Sequence, residues 1–234
     1  MAVLAVVMCV NFTACSDDDE PSKENPTTKG KRLVETTGGD EQEVFRYNSD
    51  GWLSEYILSD FTSEWKLSNS YTEQNGNTCV HIVSYNNGEL DWEEDIIINE
   101  GRVKSIDGEE CIYDSEGHLI QCGQHKFTWE NGNMTKAGSY VYAYYPNEEN
   151  KKPIENDPVL NRLDEEFGFL LAHSELLGKP CKNMLKAVYL NNNDYVDYQN
   201  PTSVYTYEFD KDGYVSSCTE ESYGNTETTY YKWE

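Results

Sequence analysis

Residues 205–215 read Tyr205-Thr206-Tyr207-Glu208-Phe209-Asp210-Lys211-Asp212-Gly213-Tyr214-Val215. The first five alternate. Tyr205, Tyr207 and Phe209 fall on one side of an extended chain and Thr206 and Glu208 on the other, which is the pattern of a strand with one face buried. Asp210 to Gly213 then reverses the chain. An Asp at the start of a turn bonds the backbone two residues on, and Gly tolerates the positive φ that a short reversal needs. The segment reads as one β-hairpin.

The same phrase recurs on either side of it. Strong copies are Tyr47 to Leu53 around Gly51, Tyr85 to Leu90 around Gly88, and Ile98 to Val103 around Gly101. Tyr113 to Leu119 around Gly117 and Trp129 to Met134 around Gly132 add two more; Asn75-Gly76 and Gly224-Asn225 look like weaker ones. A regular series of hairpins implies a meander in which each strand lies beside its sequence neighbours. The expected fold is all-β: a single curled or barrel-like antiparallel sheet of about ten or more strands, spanning residues 33–234. The final segment 226–233 (TETTYYKW) is expected to pair with the hairpin of residues 205–215.

One stretch departs from the period. After a charged, proline-containing loop, Asp157 suits a helix N-cap and Pro158 a first helical residue. Val159, Leu160, Leu163, Phe167, Leu170 and Leu171 keep helical spacing up to Gly178 and Pro180. A helical insert over 157–177 is expected, covering an open end or face of the sheet; the alternative is a lid or plug over a ligand cavity.

The composition fits such a sheet. Only 37% of residues are hydrophobic, but 18 Tyr, 5 Trp and 7 Phe supply rings suited to a half-buried pleated surface. The net charge of −25, from 43 acidic and 18 basic residues, repels polyanions, so nucleic acid is not an expected partner. The charge otherwise serves solubility, with cation binding as the alternative reading.

The N-terminus carries processing signals. Residues 2–10 (AVLAVVMCV) form an apolar run too short to span a bilayer and read as the core of a signal peptide. Thr13-Ala14-Cys15 resembles a bacterial lipobox, which implies cleavage and acylation at Cys15. No Lys or Arg precedes the apolar run, so a start upstream of Met1 or a trimmed leader is expected. The acidic run Ser16-Asp17-Asp18-Asp19-Glu20 resembles the surface-export signal of Bacteroidales lipoproteins; the alternative is an ordinary acidic linker on the periplasmic side. Residues 16–32 then read as a flexible tether.

The hairpin phrase resembles the YD repeats of RHS proteins, Tyr113-Asp114 with Gly117 being the nearest copy. From Cys15 onward the chain is similar to a Bacteroidales lipoprotein family known as domain of unknown function 4595. The acidic start, the Tyr207–Gly213 hairpin and the insert leading into Gly178-Lys179-Pro180-Cys181-Lys182-Asn183 carry that likeness. The resemblance implies a porin-like fold. It does not imply a membrane pore, since no strand-length segment shows the apolar outer band of a lipid-facing barrel. No catalytic residues carry over.

Candidate chemistry is sparse. Beyond Cys9 and Cys15 lie Cys79, Cys111, Cys122, Cys181 and Cys218. If Tyr113 faces His118, Cys111 faces Ile120 and lies diagonal to Cys122, so either a disulfide or two buried thiols follows. Cys111, His118, Cys122 and His125 are soft-ligand types, but they spread along strands rather than a metal knuckle, and no metal site is expected. Asp210 to Gly213 lacks the spacing of a calcium loop. Adjacent acids such as Glu93-Glu94 and Glu109-Glu110 point to opposite faces of a strand, and no nucleophile elbow, phosphate loop or dinucleotide fingerprint occurs. No cofactor is implied. Tyr140, Tyr142, Tyr144, Tyr205 and Tyr207 are candidates for an exposed sugar-stacking face; the competing reading puts these rings in the core. The resulting expectation is a non-catalytic, lipid-anchored outer-membrane module on the cell surface that binds a glycan or protein, or acts as a scaffold. The alternative is a surface hydrolase acting on glycan or peptide.

Overall fold

A computed structural model describes residues 30–163, 167–192 and 195–234. The expected signal peptide, Cys15 and most of the expected tether lie outside them. The strands are β1 (Leu33–Gly38), β2 (Glu41–Tyr47), β3 (Leu53–Ser59), β4 (Glu64–Gln74), β5 (Asn77–Asn86) and β6 (Glu89–Asn99). They continue with β7 (Arg102–Ile106), β8 (Glu109–Tyr113), β9 (Leu119–Cys122), β10 (His125–Glu130), β11 (Asn133–Ala137) and β12 (Tyr140–Glu149). After an insert come β13 (Asn183–Asn192), β14 (Tyr195–Val196), β15 (Ser203–Phe209), β16 (Val215–Ser222) and β17 (Asn225–Trp233).

Each strand pairs antiparallel with its sequence neighbours, except that two-residue β14 hangs on the end of β13, which pairs onward with β15. β16 pairs with β17 as expected, and β17 then pairs back onto β1, with Thr36 opposite Tyr231. Sixteen strands thereby close into a barrel, and closure leaves no unpaired edge. The turns follow two chemistries. In the longer ones an Asx side chain holds the loop: Asp114 Oδ1 accepts the N–H groups of Glu116, Gly117 and His118 at 2.9, 2.7 and 2.9 Å. Asn48 and Asp210 do the same for their own turns. In the two-residue turns, Asn75-Gly76 and Tyr223-Gly224 among them, both residues take positive φ, the geometry that matches strand twist. The weaker copies of the phrase are therefore full hairpins.

Leu33, Phe45, Tyr56, Leu67, Ile82, Ile96, Leu119 and Met134 point inward and are buried. Polar and charged side chains bridge neighbouring strands on the outside: Arg46 to Glu55 at 2.7 Å, Lys66 to Glu55 at 2.6 Å, and His81 to Asp95 at 2.9 Å. A lipid-facing barrel has the opposite arrangement, with an apolar band outside.

The insert between β12 and β13 fills the interior. The helical insert expected over 157–177 is present, but in short pieces rather than one run. The described residues give a 3-10 turn at Leu160–Arg162, a short α1 at Phe167–Ala172 and a second 3-10 turn at Ser174–Leu177. Asp157 still caps, accepting the Val159 N–H at 2.9 Å. Ile154, Val159, Leu160, Leu163, Phe169, Leu170, Leu171, Leu176 and Leu177 are all buried, so the insert meets the wall on several sides. Gly168 sits against a wall ring, where an added Cβ would lie 2.5 Å from Tyr56 Cγ. The insert is neither a cover nor a lid; it is a plug and supplies much of the core.

Closure also corrects the aromatic reading. Tyr142 and Tyr205 are buried, and Tyr140, Tyr144 and Tyr207 pack against the core. Tyr144 donates to the Met134 carbonyl at 2.6 Å and Tyr207 to the Leu185 carbonyl at 2.7 Å, while the Arg162 guanidinium lies 4.6 Å over the Tyr140 ring. A plugged barrel needs large side chains on its inner face, so these rings are not an exposed stacking face. Phe209 leaves that row at a register shift between Glu208 and Phe209 and emerges to solvent. The β8–β9 register differs as well: a shift between Ile112 and Tyr113 puts Tyr113 opposite Leu119 and Cys111 directly opposite Cys122.

Candidate functional site

The strands alternate in direction, so the barrel has two distinct ends. β1 starts, β17 finishes and the plug enters at one of them, called here the tether end. Gly30–Arg32, the last residues of the expected tether, are docked there: Arg32 N–H donates to the Glu234 carbonyl at 2.6 Å, and Lys31 pairs with Asp210 and Asp212, both at 2.7 Å. Those contacts hold the Asp210 carboxyl down at about 2, chiefly through the hydrogen bond from Lys31.

A cleft of about 340 Å³ opens at this end between Lys31, Arg32, Tyr47, Lys151, Lys152 and plug residues 172–175. It gathers four cations in an acidic chain, yet they are engaged. Lys151 donates to the Asp212 carbonyl, and Lys152 donates to the Ala172 carbonyl at 3.3 Å with Glu175 4.0 Å away. Burial lowers the Lys152 pKa. His173, at the cleft floor, has its Nε2 accepting the Leu53 N–H at 3.0 Å, so its Nδ1 carries the hydrogen toward Glu175 at 3.3 Å. Burial depresses its pKa and keeps the ring neutral. With both nitrogens engaged it pins plug to wall and has no free lone pair for base catalysis.

A second cavity, about 270 Å³, lies toward the far end between Thr36, Glu41, Glu43, Glu155, Asn161, Glu227 and Thr229. Glu155 belongs to the plug. Its Oε1 accepts the Tyr231 hydroxyl and its Oε2 is sealed from solvent. Burial, aided by the charge of Glu43, pushes the Glu155 carboxyl up to about 7. Glu43 is held from both sides, by the Thr36 hydroxyl and by the Tyr56 hydroxyl at 2.6 Å. Among the described residues no group of three or more His, Cys, Asp or Glu is placed to hold a metal ion.

The far end carries a third feature. Six large apolar side chains are more than half exposed among the described residues; four belong to far-end connections and a fifth, Leu90, to the far end of β6. Phe61, 85% exposed, is in the β3–β4 loop, and Leu90 follows the β5–β6 turn. Tyr195 and Tyr198 lie in the β13–β15 connection, and Tyr223, 84% exposed, forms the β16–β17 turn. Tyr198 leans on Tyr189 with ring centres 5.2 Å apart. Sequence reasoning chose strand tyrosines and missed these loop rings. The available signal was an aromatic inside a turn, as in Ser222-Tyr223-Gly224 and Asp60-Phe61-Thr62, where no alternating strand pattern can bury it.

No family model and no curated protein matches the chain. Among solved structures it is similar to a porin-like protein from Bacteroides uniformis, at 13% identity and a TM-score of 0.51, over 89% of this chain and 100% of that one. At that identity the likeness is one of fold.

Proposed function

We propose that the chain is a non-catalytic binding module, lipid-anchored through Cys15 at the outer-membrane surface, and that its far end takes an uncharged glycan. The observation that carries this reading is the placement of exposed rings: Phe61, Tyr195, Tyr198 and Tyr223 stand at the end away from the tether. Rings held on a rigid barrel offer flat apolar faces to the C–H faces of sugars at little cost in entropy. The ligand is uncharged because the chain carries a net −25 and the cavity at that end is lined by Glu41, Glu43 and Glu227, which repel polyanions. Anchor and location rest on the resemblance of residues 1–20 to a surface lipoprotein signal and of the chain from Cys15 onward to the domain 4595 family; the likeness to YD repeats extends to the turn phrase.

The test is affinity electrophoresis of the mature domain in gels cast with neutral and with carboxylated polysaccharides, beside an assay for released reducing ends. Retardation in a neutral polysaccharide without release is expected, weakened about two- to twelvefold by Tyr198→Ala or Tyr223→Ala, since one aromatic contact is worth ~0.5–1.5 kcal/mol. No retardation across the panel, or loop variants that bind unchanged, would sink the glycan reading.

A hydrolase is the second reading, and Glu155 is what favours it: a carboxyl protonated near neutrality beside a second carboxylate is the pairing that glycoside hydrolysis uses. Against it, the neighbouring hydroxyls hold both acids as structural groups. Release of reducing ends that Glu155→Gln abolishes would promote it.

A further inference from the structure

Cys111 of β8 lies directly opposite Cys122 of β9, with their sulfurs 2.6 Å apart. The neighbouring pair sets the geometry. Gly123 N–H donates to the Glu110 carbonyl at 3.2 Å, so Glu110 and Gly123 form a hydrogen-bonded pair and Cys111 and Cys122 the adjacent non-hydrogen-bonded one. At such positions opposing Cα atoms come to about 4.5 Å and side chains approach most closely. That span lies within the ~4.4–6.8 Å a disulfide bridges. Two of the other described cysteines have different neighbours: Cys181 meets the Tyr144 hydroxyl at 3.4 Å, and Cys218 meets Asn156 at 3.6 Å.

We propose that Cys111 and Cys122 are oxidised to a cross-strand disulfide. The oxidant is a disulfide, on an oxidoreductase or as glutathione disulfide. One cysteine thiolate attacks it and expels one of its sulfurs as a thiol, giving a mixed disulfide. The second thiolate then displaces the remaining partner sulfur. The two cysteines together lose two protons and two electrons, the Sγ–Sγ bond forms, and the oxidant leaves as two thiols.

The bond has a structural purpose. β8 and β9 are among the shorter strands, and their hairpin holds the exit of the plug. His118 bridges to Gly178, Lys179 N–H donates to the Gly117 carbonyl at 2.8 Å, and a Cβ on Gly178 would collide with that same oxygen. Tyr113 donates to the Val103 carbonyl at 2.8 Å beneath it. The disulfide staples the hairpin against which the plug leaves the lumen.

The experiment is done on the exported full chain, recovered from the cell envelope and equilibrated with a glutathione redox buffer. It is unfolded in alkylating agent without reductant and digested with trypsin. Residues 105–126 contain both cysteines and no internal Lys or Arg, so they form one peptide. The expected result is that peptide unalkylated and lighter by two hydrogens, becoming doubly alkylated after reduction. Cys111→Ser leaves Cys122 open to alkylation. Reductant lowers the thermal midpoint of the native chain and leaves that of the Cys111→Ala/Cys122→Ala chain unmoved. A doubly alkylated peptide before reduction, or one joined to another cysteine peptide, overturns the proposal.

Discussion

Along β2, Phe45 points inward while Val44 and Arg46 face outward, and β15 repeats the scheme with Tyr205 and Thr206. In the plug nothing alternates; Phe169, Leu170, Leu171, Ala172, Leu176 and Leu177 are all buried in succession or nearly so. The wall is made by many weak, repeated decisions, each local to a hairpin. The plug is a single apolar segment whose shape is dictated by the cavity it enters. A wall position therefore tolerates change on one face only, and a plug position on none.

The largest expected effect tests whether the two form one cooperative unit. Leu170→Ala in the plug and Leu67→Ala in the wall both truncate fully buried side chains and should each cost about 2–5 kcal/mol in urea unfolding. A single transition displaced in both variants is expected. If Leu170→Ala produces a separate early transition with the wall intact, the plug is an independent, weaker unit.

The second comparison is in pH. Burial raises the folded pKa of two plug carboxyls, Glu155 to about 7 and Asp157 to about 6. On the surface, hydrogen bonds from Thr62 hold Asp60 at about 2, and Lys31 does so for Asp210. A raised carboxyl favours the fold fully below its unfolded pKa and loses that contribution as pH climbs through its folded value; a lowered one contributes above its unfolded pKa and fails only as pH falls toward 2. Between pH 5 and 8 the surface pair is silent and the plug decides. Stability should fall with rising pH by about 3 kcal/mol from Glu155, at ~1.4 kcal/mol for each pH unit separating its unfolded and folded pKa. Glu155→Gln should remove that part of the slope and leave the part due to Asp157; an unchanged slope would assign it to the overall charge instead.

Smaller effects probe the wall. Asp114→Ala strips three N–H groups of their acceptor in the β8–β9 turn and should cost about 1–2 kcal/mol. Ile112→Thr, on the outer face next to Cys111, should stay within about 0.5 kcal/mol. Equal losses from the two changes would mean that the outer face packs against something.

The wall was legible because its information is short-range. Asp210 and Gly213 bond and bend within their own turn, and Tyr205 and Tyr207 share a side simply by being two apart. The β8–β9 register was misread because the shift at Ile112 leaves no mark in residue type. The helical insert over 157–177 was legible from its apolar spacing, but its division into short pieces was not, because that is set by the wall it packs against.

By itself the sequence determined that the chain is a meander of hairpins, because turn chemistry and two-residue alternation are properties of neighbouring residues. The tertiary structure alone decided that β17 returns to β1, that the plug occupies the lumen, that the strand tyrosines turn inward and that Phe61, Tyr198 and Tyr223 are left outside. Each of those depends on closing a loop of many strands, and closure is set by the summed twist and stagger of the whole sheet rather than by any one phrase in it.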